Sequence, residues 1–201
     1  MKLSGATKAV IAVAVLFVIG AVLAMNYHNK AVSMDEKVAA SWSQVLNQYK
    51  RRADLIPNLV KTVKGYATHE KDVLTQVTEA RAKVGKMELS PKMLEDPKAF
   101  AMFEKSQGEL SSALSRLMMV VERYPQLKAD KNFLALQSQL EGTENRISVA
   151  RRDYIEAVRG FNTLLRRFPA ALFLRITDPD LKPKPTFSIE KKEMKVPEVS
   201  F

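Results

Sequence analysis

Apolar residues run unbroken only once along this chain, from Ala9 to Met25, and after that they recur at steps of three and four. The unbroken run holds 17 residues without a charge. At about 1.5 Å per residue it extends roughly 26 Å, slightly less than the roughly 30 Å hydrocarbon layer of a bilayer. Gly5, Ala6 and Thr7 lengthen it, Lys8 can carry its ammonium out to the headgroups, and Tyr27 stands where interfacial aromatics stand. The pattern predicts a membrane anchor over residues 1–30, with Ala9, Ile11, Leu16, Phe17, Ile19 and Leu23 facing lipid. A cleaved secretory signal is the alternative, because Lys2 and Lys8 form a basic start and Val22-Leu23-Ala24 ends on a small residue. Lys2 and Lys8 precede the run and only Lys30 follows it closely, so the positive-inside rule leans towards a cytoplasmic N-terminus and an extracytoplasmic domain.

Beyond the anchor the spacing reads as helix throughout. Ser33 and Glu36 have the S-x-x-E spacing of a capping box, and Val38, Trp42, Val45, Tyr49, Ile56, Leu59, Val63 and Tyr66 form the stripe that follows. Pro57 lacks a backbone donor, which predicts a kink or a restart capped by Asp54. A break is expected between Gly65 and Thr68, and the apolar positions resume at Val73, Val77, Ala80, Val84 and Met87. Asp96-Pro97 opens another stripe, Phe100, Phe103, Gln107, Leu110, Leu114, Leu117, Val121 and Tyr124, which Pro125 closes. The last stripe begins after Asp130, runs from Phe133 through Leu140, Ile147, Tyr154, Phe161 and Leu164 to Phe168, and is stopped by Pro169.

Four stripes repeating near 3.5 residues must cover one another, and short connections favour an up-and-down arrangement with crossings near 20°. The fold expected is therefore all-α: an N-terminal transmembrane helix over 1–30, a long antiparallel helical bundle over 31–170, and an extended, proline-containing C-terminal tail over 171–201. Trp42 and the other aromatics of the stripes read as core. The tail carries Pro179, Pro183, Pro185 and Pro197 and is either disordered or docked in a groove through Val199, Phe201 and the terminal carboxylate.

Charge narrows the partners. Without Lys2, Lys8 and Lys30 the chain keeps 29 of its 32 Lys and Arg against 22 Asp and Glu, a net of +7 that suits anionic lipid or acidic polymers. No helix-turn-helix, zinc finger or basic strip interleaved with aromatics points to nucleic acid. The chain has no cysteine, and His28 and His69 are its only histidines, so no metal-ligand spacing occurs and no cofactor is expected. The seven glycines never fall into a phosphate-cradling spacing, and no serine has a nucleophile-elbow context. Catalysis is not expected.

Two polar clusters inside the helices stand out. Arg51, Arg52 and Asp54 lie near the proline, and Glu141, Glu144 and Arg151 crowd the middle of the last helix. If those helices run antiparallel, the two clusters can pair across the bundle and set its register; a solvated charged face is the alternative. Gly142 inside this helix costs about 1 kcal/mol relative to alanine, which close backbone packing near Thr143 would explain.

The run from Asn47-Gln48-Tyr49-Lys50-Arg51-Arg52-Ala53-Asp54-Leu55-Ile56-Pro57-Asn58-Leu59-Val60 through Val63-Lys64-Gly65-Tyr66 to Thr78-Glu79-Ala80-Arg81-Ala82 resembles the LemA family of bacterial membrane proteins. So do Leu140-Glu141-Gly142-Thr143-Glu144-Asn145-Arg146-Ile147, Val149-Ala150-Arg151-Arg152-Asp153-Tyr154, Phe161-Asn162-Thr163 and Phe168-Pro169. The stretch Ala170-Ala171-Leu172-Phe173-Leu174-Arg175 departs from the family's Gly-Phe-rich turn. The resemblance implies a helical bundle behind one membrane helix, no assigned enzymatic activity, and kinship with proteins of magnetosome membrane formation. Such proteins are usually placed with the bundle in the cytoplasm, opposite to the charge count above. The expected role is a structural or interaction component of the bacterial envelope in the cytoplasmic membrane. Its partners would be the bilayer and either a second copy or an envelope membrane protein. A membrane-tethered sensor or signalling adaptor is the second reading.

Overall fold

The computed structural model describes residues 4–87 and 90–187. Among them lie six α-helices and no strand: α1 (Gly5–Tyr66), α2 (Lys71–Gly85), α3 (Pro97–Val121), α4 (Pro125–Lys128), α5 (Lys131–Arg166) and α6 (Ala170–Thr177), with a 3-10 turn at Pro91–Glu95. The chain forms two compact units, Met1–Ala40 with Glu156–Lys184, and Ser41–Ile155 with Pro185–Phe201.

The expected helix start at Ser33 is corrected. α1 continues unbroken from the apolar run into the bundle helix, and Ser33 is an exposed residue within it. No glycine or proline lies between Gly20 and Pro57, so nothing disfavours helix where the capping box was read. α1 also passes through Pro57 without the expected restart. A proline at 57 deprives the Ala53 carbonyl of its helical donor, and Arg81 Nε of α2 donates to that carbonyl at 3.1 Å. A side chain from the neighbouring helix thus satisfies the group that the proline orphans.

The remaining boundaries follow local chemistry. α1 ends at Tyr66, inside the expected break. Asp96 caps α3, its carboxylate accepting from Lys98 N at 2.8 Å, with Pro97 in the first turn. Asp130 caps α5 by accepting from Phe133 N at 2.9 Å. That bond first, and the Tyr66 hydroxyl second, hold the Asp130 carboxyl below the usual carboxylate range.

In the unit of Ser41–Ile155, chain directions follow from pairs at both ends of each helix. Glu70 meets Arg123 at 3.0 Å and Lys83 meets Glu109 at 3.1 Å, so α2 and α3 are antiparallel. Arg146 Nε donates to Gln48 at 3.2 Å and Tyr66 donates to Asp130 at 3.0 Å, so α1 and α5 are antiparallel. Tyr49 packs edge-on to Phe103 while Arg52 bonds Gln107, so α1 and α3 run the same way. This is the expected up-and-down bundle. Its core joins Ile56, Leu59 and Val63 of α1, Leu74, Val77 and Val84 of α2, Leu110, Leu114 and Leu117 of α3, and Phe133 and Leu140 of α5. Burying each such side chain is worth about 1.5 to 3 kcal/mol. Trp42 is fully buried against Phe100, Phe103 and Tyr154, as a core residue should be.

In the other unit, Ala31, Leu164, Ala170 and Leu174 form a small core that Tyr27, Met34 and Leu181 border. The segment expected to be extended from 171 is helical as far as Thr177, and Asp178 to Leu181 then form a turn in which Leu181 N donates to the Asp178 carbonyl at 3.2 Å. α6 docks here by stacking Phe173 on Tyr27, ring centroids 5.8 Å apart, while His28 Nδ1 donates to the Asp178 carboxylate at 2.9 Å. Phe168 was expected to continue the α5 stripe into the core. Instead α5 stops at Arg166 and Phe168, the residue before Pro169, is 79% exposed.

Candidate functional site

Every expected anchor residue, Ala9, Ile11, Leu16, Phe17, Ile19 and Leu23, is exposed along α1. That stretch makes α1 the one helix among the described residues long and apolar enough to cross a membrane. An apolar helix of this kind left bare in water would expose several large side chains per turn, whereas lipid covers them at no cost.

The polar cluster of the bundle assembles around a single guanidinium. Arg52 of α1 is 1% exposed. Its Nη1 donates to Glu144 Oε1 of α5 and to Ser111 Oγ of α3, each at 3.0 Å. Its Nη2 donates to the Gln107 carbonyl oxygen at 3.4 Å and to the Gln107 amide oxygen. Gln107 and Ser111 are four residues apart and so share one face of α3. The guanidinium also lies 5.0 Å from the Tyr49 ring centre, and burial pushes the Tyr49 hydroxyl pKa up. The ring and the cation therefore shield each other from water.

The other residues expected in this network are placed elsewhere. Arg51, Asp54 and Glu141 are exposed, and Glu141 accepts from Gln137 of its own helix at 3.0 Å. At 3.6 residues per turn Arg51 points about 100° away from Arg52, so only one of the adjacent pair can enter the core. Arg151 reaches neither Glu141 nor Glu144 by a hydrogen bond; its guanidinium lies 4.2 Å over the Phe187 ring. The close backbone packing expected at Gly142 is also absent. Among the described residues outside its own helical backbone, the Arg146 guanidinium alone stands within 4 Å of where a Cβ would be, at 3.5 Å.

Beside the buried arginine an open cleft of about 970 Å³ is walled by Tyr49, Arg52, Gln107, Lys105, Glu144 and Arg151. Just behind it, Arg52 Nε and Gln107 Nε2 are buried without a hydrogen-bond partner among the described residues. Both donors are buried beneath the cleft surface, and the cations that reach the cleft are Lys105, Arg116 and Arg151. Among the described residues no group of three or more His, Asp or Glu is arranged to hold a metal ion. The chemistry on offer is recognition of carboxylate, carbonyl or other acceptor groups.

The tail supplies a buried aromatic residue that the sequence pattern did not single out. Phe187 is buried against Trp42, Phe100 and Tyr154, and the Tyr154 hydroxyl donates to the Pro185 carbonyl at 2.7 Å. Burial raises the Tyr154 pKa, so the hydroxyl stays a donor across the physiological range. Just before it, the Asn162 side chain clamps the Lys184 backbone from both sides, donating to its carbonyl at 3.0 Å and accepting from its N–H at 2.9 Å. An aromatic two residues after Pro185 was the available signal. The expected docking residues Val199 and Phe201 lie outside the described residues.

The LemA family profile matches residues 41–201, a span that includes Arg52, Gln107, Glu144 and Phe187. Magnetosome protein MamQ 2 of Paramagnetospirillum magneticum is 28% identical over 183 residues, covering 82% of this chain and 67% of that protein. Magnetosome protein MamQ of Magnetospirillum gryphiswaldense is 25% identical, over 86% of this chain and 70% of its own. Protein LemA of Metamycoplasma hominis is 26% identical over 59% of this chain and 50% of its own. With its exposed apolar helix and these relatives, the protein is membrane-associated. The family profile covers most of its length, and the chain belongs to the LemA family.

Proposed function

We propose that the protein is a membrane-anchored scaffold or assembly component of the bacterial envelope, holding a partner protein or a second copy at the bilayer surface without catalysis. The open polar cleft beside Arg52 carries this reading. Its walls mix Lys105 and Arg151 with Glu104 and Glu144 around small hydroxyl side chains, a composition suited to a polar partner surface. Confinement of both partners to one membrane raises their encounter frequency without new contacts. The relatives named as magnetosome proteins support a role at a membrane structure. The membrane proposed is the cytoplasmic one, with the bundle on its outer side as the lysine count suggests.

The cations Lys105, Arg116 and Arg151 on the cleft lining favour a second reading, a tethered sensor or adaptor whose cleft takes an acceptor-bearing ligand or peptide. A photo-crosslinking residue placed at exposed Gln76 or Lys105 on the cleft wall, in intact cells, separates these readings. The scaffold reading expects a discrete protein adduct from these positions and none from Arg152. An adduct-free cleft contradicts it, and a peptide or small-ligand adduct supports the sensor.

A further inference from the structure

We infer that α6 is a second membrane contact, an interfacial element that inserts Phe168, Leu172 and Ile176 into the lipid surface beside the anchor. The inference rests on the reading of α1 as a membrane span.

α6 has two faces. Ala170 and Leu174 are buried in the small core, and Phe173 stacks on Tyr27. Opposite them, Leu172 and Ile176 are 54% and 75% exposed, and Phe168 just before the helix is 79% exposed. The i, i+4 spacing of Leu172 and Ile176 puts both on one side of α6, and exposed Phe168 stands in the turn that leads into it. Three large exposed apolar side chains within nine residues are an unusual load for a surface in water.

The occupant follows from where this element is fastened. Tyr27 lies two residues past Met25, the last residue of the apolar run, or about 3 Å along the helix. A helix stacked on Tyr27, and tied to His28 through Asp178, is held at headgroup level. Arg166, Arg167 and Arg175 flank these side chains, and Lys30 and Arg167 wall a hollow of about 680 Å³ next to Phe168. Apolar side chains bordered by cations suit the boundary between acyl chains and anionic headgroups, into which amphipathic helices sink about 5 to 10 Å.

The chain has no cysteine, so single labels report without background. Full-length protein carrying an environment-sensitive fluorophore at Leu172→Cys, with Ile176→Cys as a second site and Phe17→Cys as the span reference, is reconstituted in phosphatidylcholine vesicles containing phosphatidylglycerol and brominated lipid. The inference expects quenching at 17 by deep bromines and at 172 and 176 by shallow ones. Replacing Arg166, Arg167 and Arg175 with glutamine should reduce the shallow quenching while circular dichroism stays unchanged. Quenching at 17 without quenching at 172 or 176 overturns the α6 contact and leaves the span standing. No quenching at 17 overturns the span itself. Labels at 172 and 176 that are shielded from water, unquenched by lipid and sensitive to protein density would show a second copy on this face, which also overturns the inference.

Discussion

The two units handle their misfit residues in opposite ways. The Ser41–Ile155 unit buries a charge, Arg52, inside an apolar bundle and surrounds it with acceptors from α3 and α5. The unit of Met1–Ala40 and Glu156–Lys184 leaves apolar side chains outside, along the first turns of α1 and on one face of α6. In the first, the protein supplies the environment the misfit group needs. In the second, the environment has to come from elsewhere, and a bilayer is the one that suits a continuous apolar helix. The bundle is thus specified by its own sequence, whereas the anchor side is finished by its surroundings.

Substitutions at the two kinds of misfit should differ most. Arg52→Ala removes a buried cation, strands Gln107 and opens a cavity, and is expected to destabilise the bundle by about 3 to 5 kcal/mol in urea titration. Leu172→Ser on exposed α6 should change the same midpoint by less than about 0.5 kcal/mol, because its side chain lies outside the packed core. Equal losses at the two sites would erase the comparison. Next in size is Phe187→Ala, which empties the aromatic pocket of Trp42, Phe100 and Tyr154. A loss of about 3 kcal/mol is expected, together with faster proteolysis near Pro185.

Gly142→Ala works in the other direction. The added methyl meets the Arg146 guanidinium at an ordinary contact distance, so the helical preference of alanine should stabilise the bundle by about 0.5 to 1 kcal/mol. A destabilised variant would show that Arg146 has no room to give. The smallest effect is the pH dependence of the caps. Asp130 and Asp178 both have folded pKa values below their ordinary ones, through Phe133 N–H and Tyr66 in one case and Thr177 and His28 in the other. Stabilisation from each is complete above the unfolded carboxyl value near pH 4 and fades as pH falls through the lower folded value. Melting temperature should therefore hold from pH 7 to about 5 and slip below about 4; Asp130→Asn should flatten part of that slope.

Helix type, the break after Tyr66 and the caps at Asp96 and Asp130 were readable because each rests on chemistry within a few residues. The continuity of α1 at Ser33 was not. A capping-box spacing permits a helix start, but without a glycine or proline nearby it does not force one, and burial of Ala31 favours carrying on. Pro57 misled for a related reason: its cost depends on whether a distant donor such as Arg81 reaches the freed carbonyl. The polar centre was half legible. Arg52 and Glu144 were visible in the two polar clusters of the helices, but Gln107 counted only as a stripe position. The choice of Arg52 over Arg51 needs the rotation of α1, which follows from Trp42, Val45 and Tyr49 facing inward. Phe187 was hidden by its surroundings, since a proline-containing tail gives no periodicity from which to infer burial.

Alkaline carbonate extraction of membranes from cells making the full-length chain tests the central claim most directly. Retention of the intact polypeptide, N-terminus included, in the membrane pellet is the predicted result. Its release into the supernatant, or recovery of a product cut near Ala24, would contradict the account.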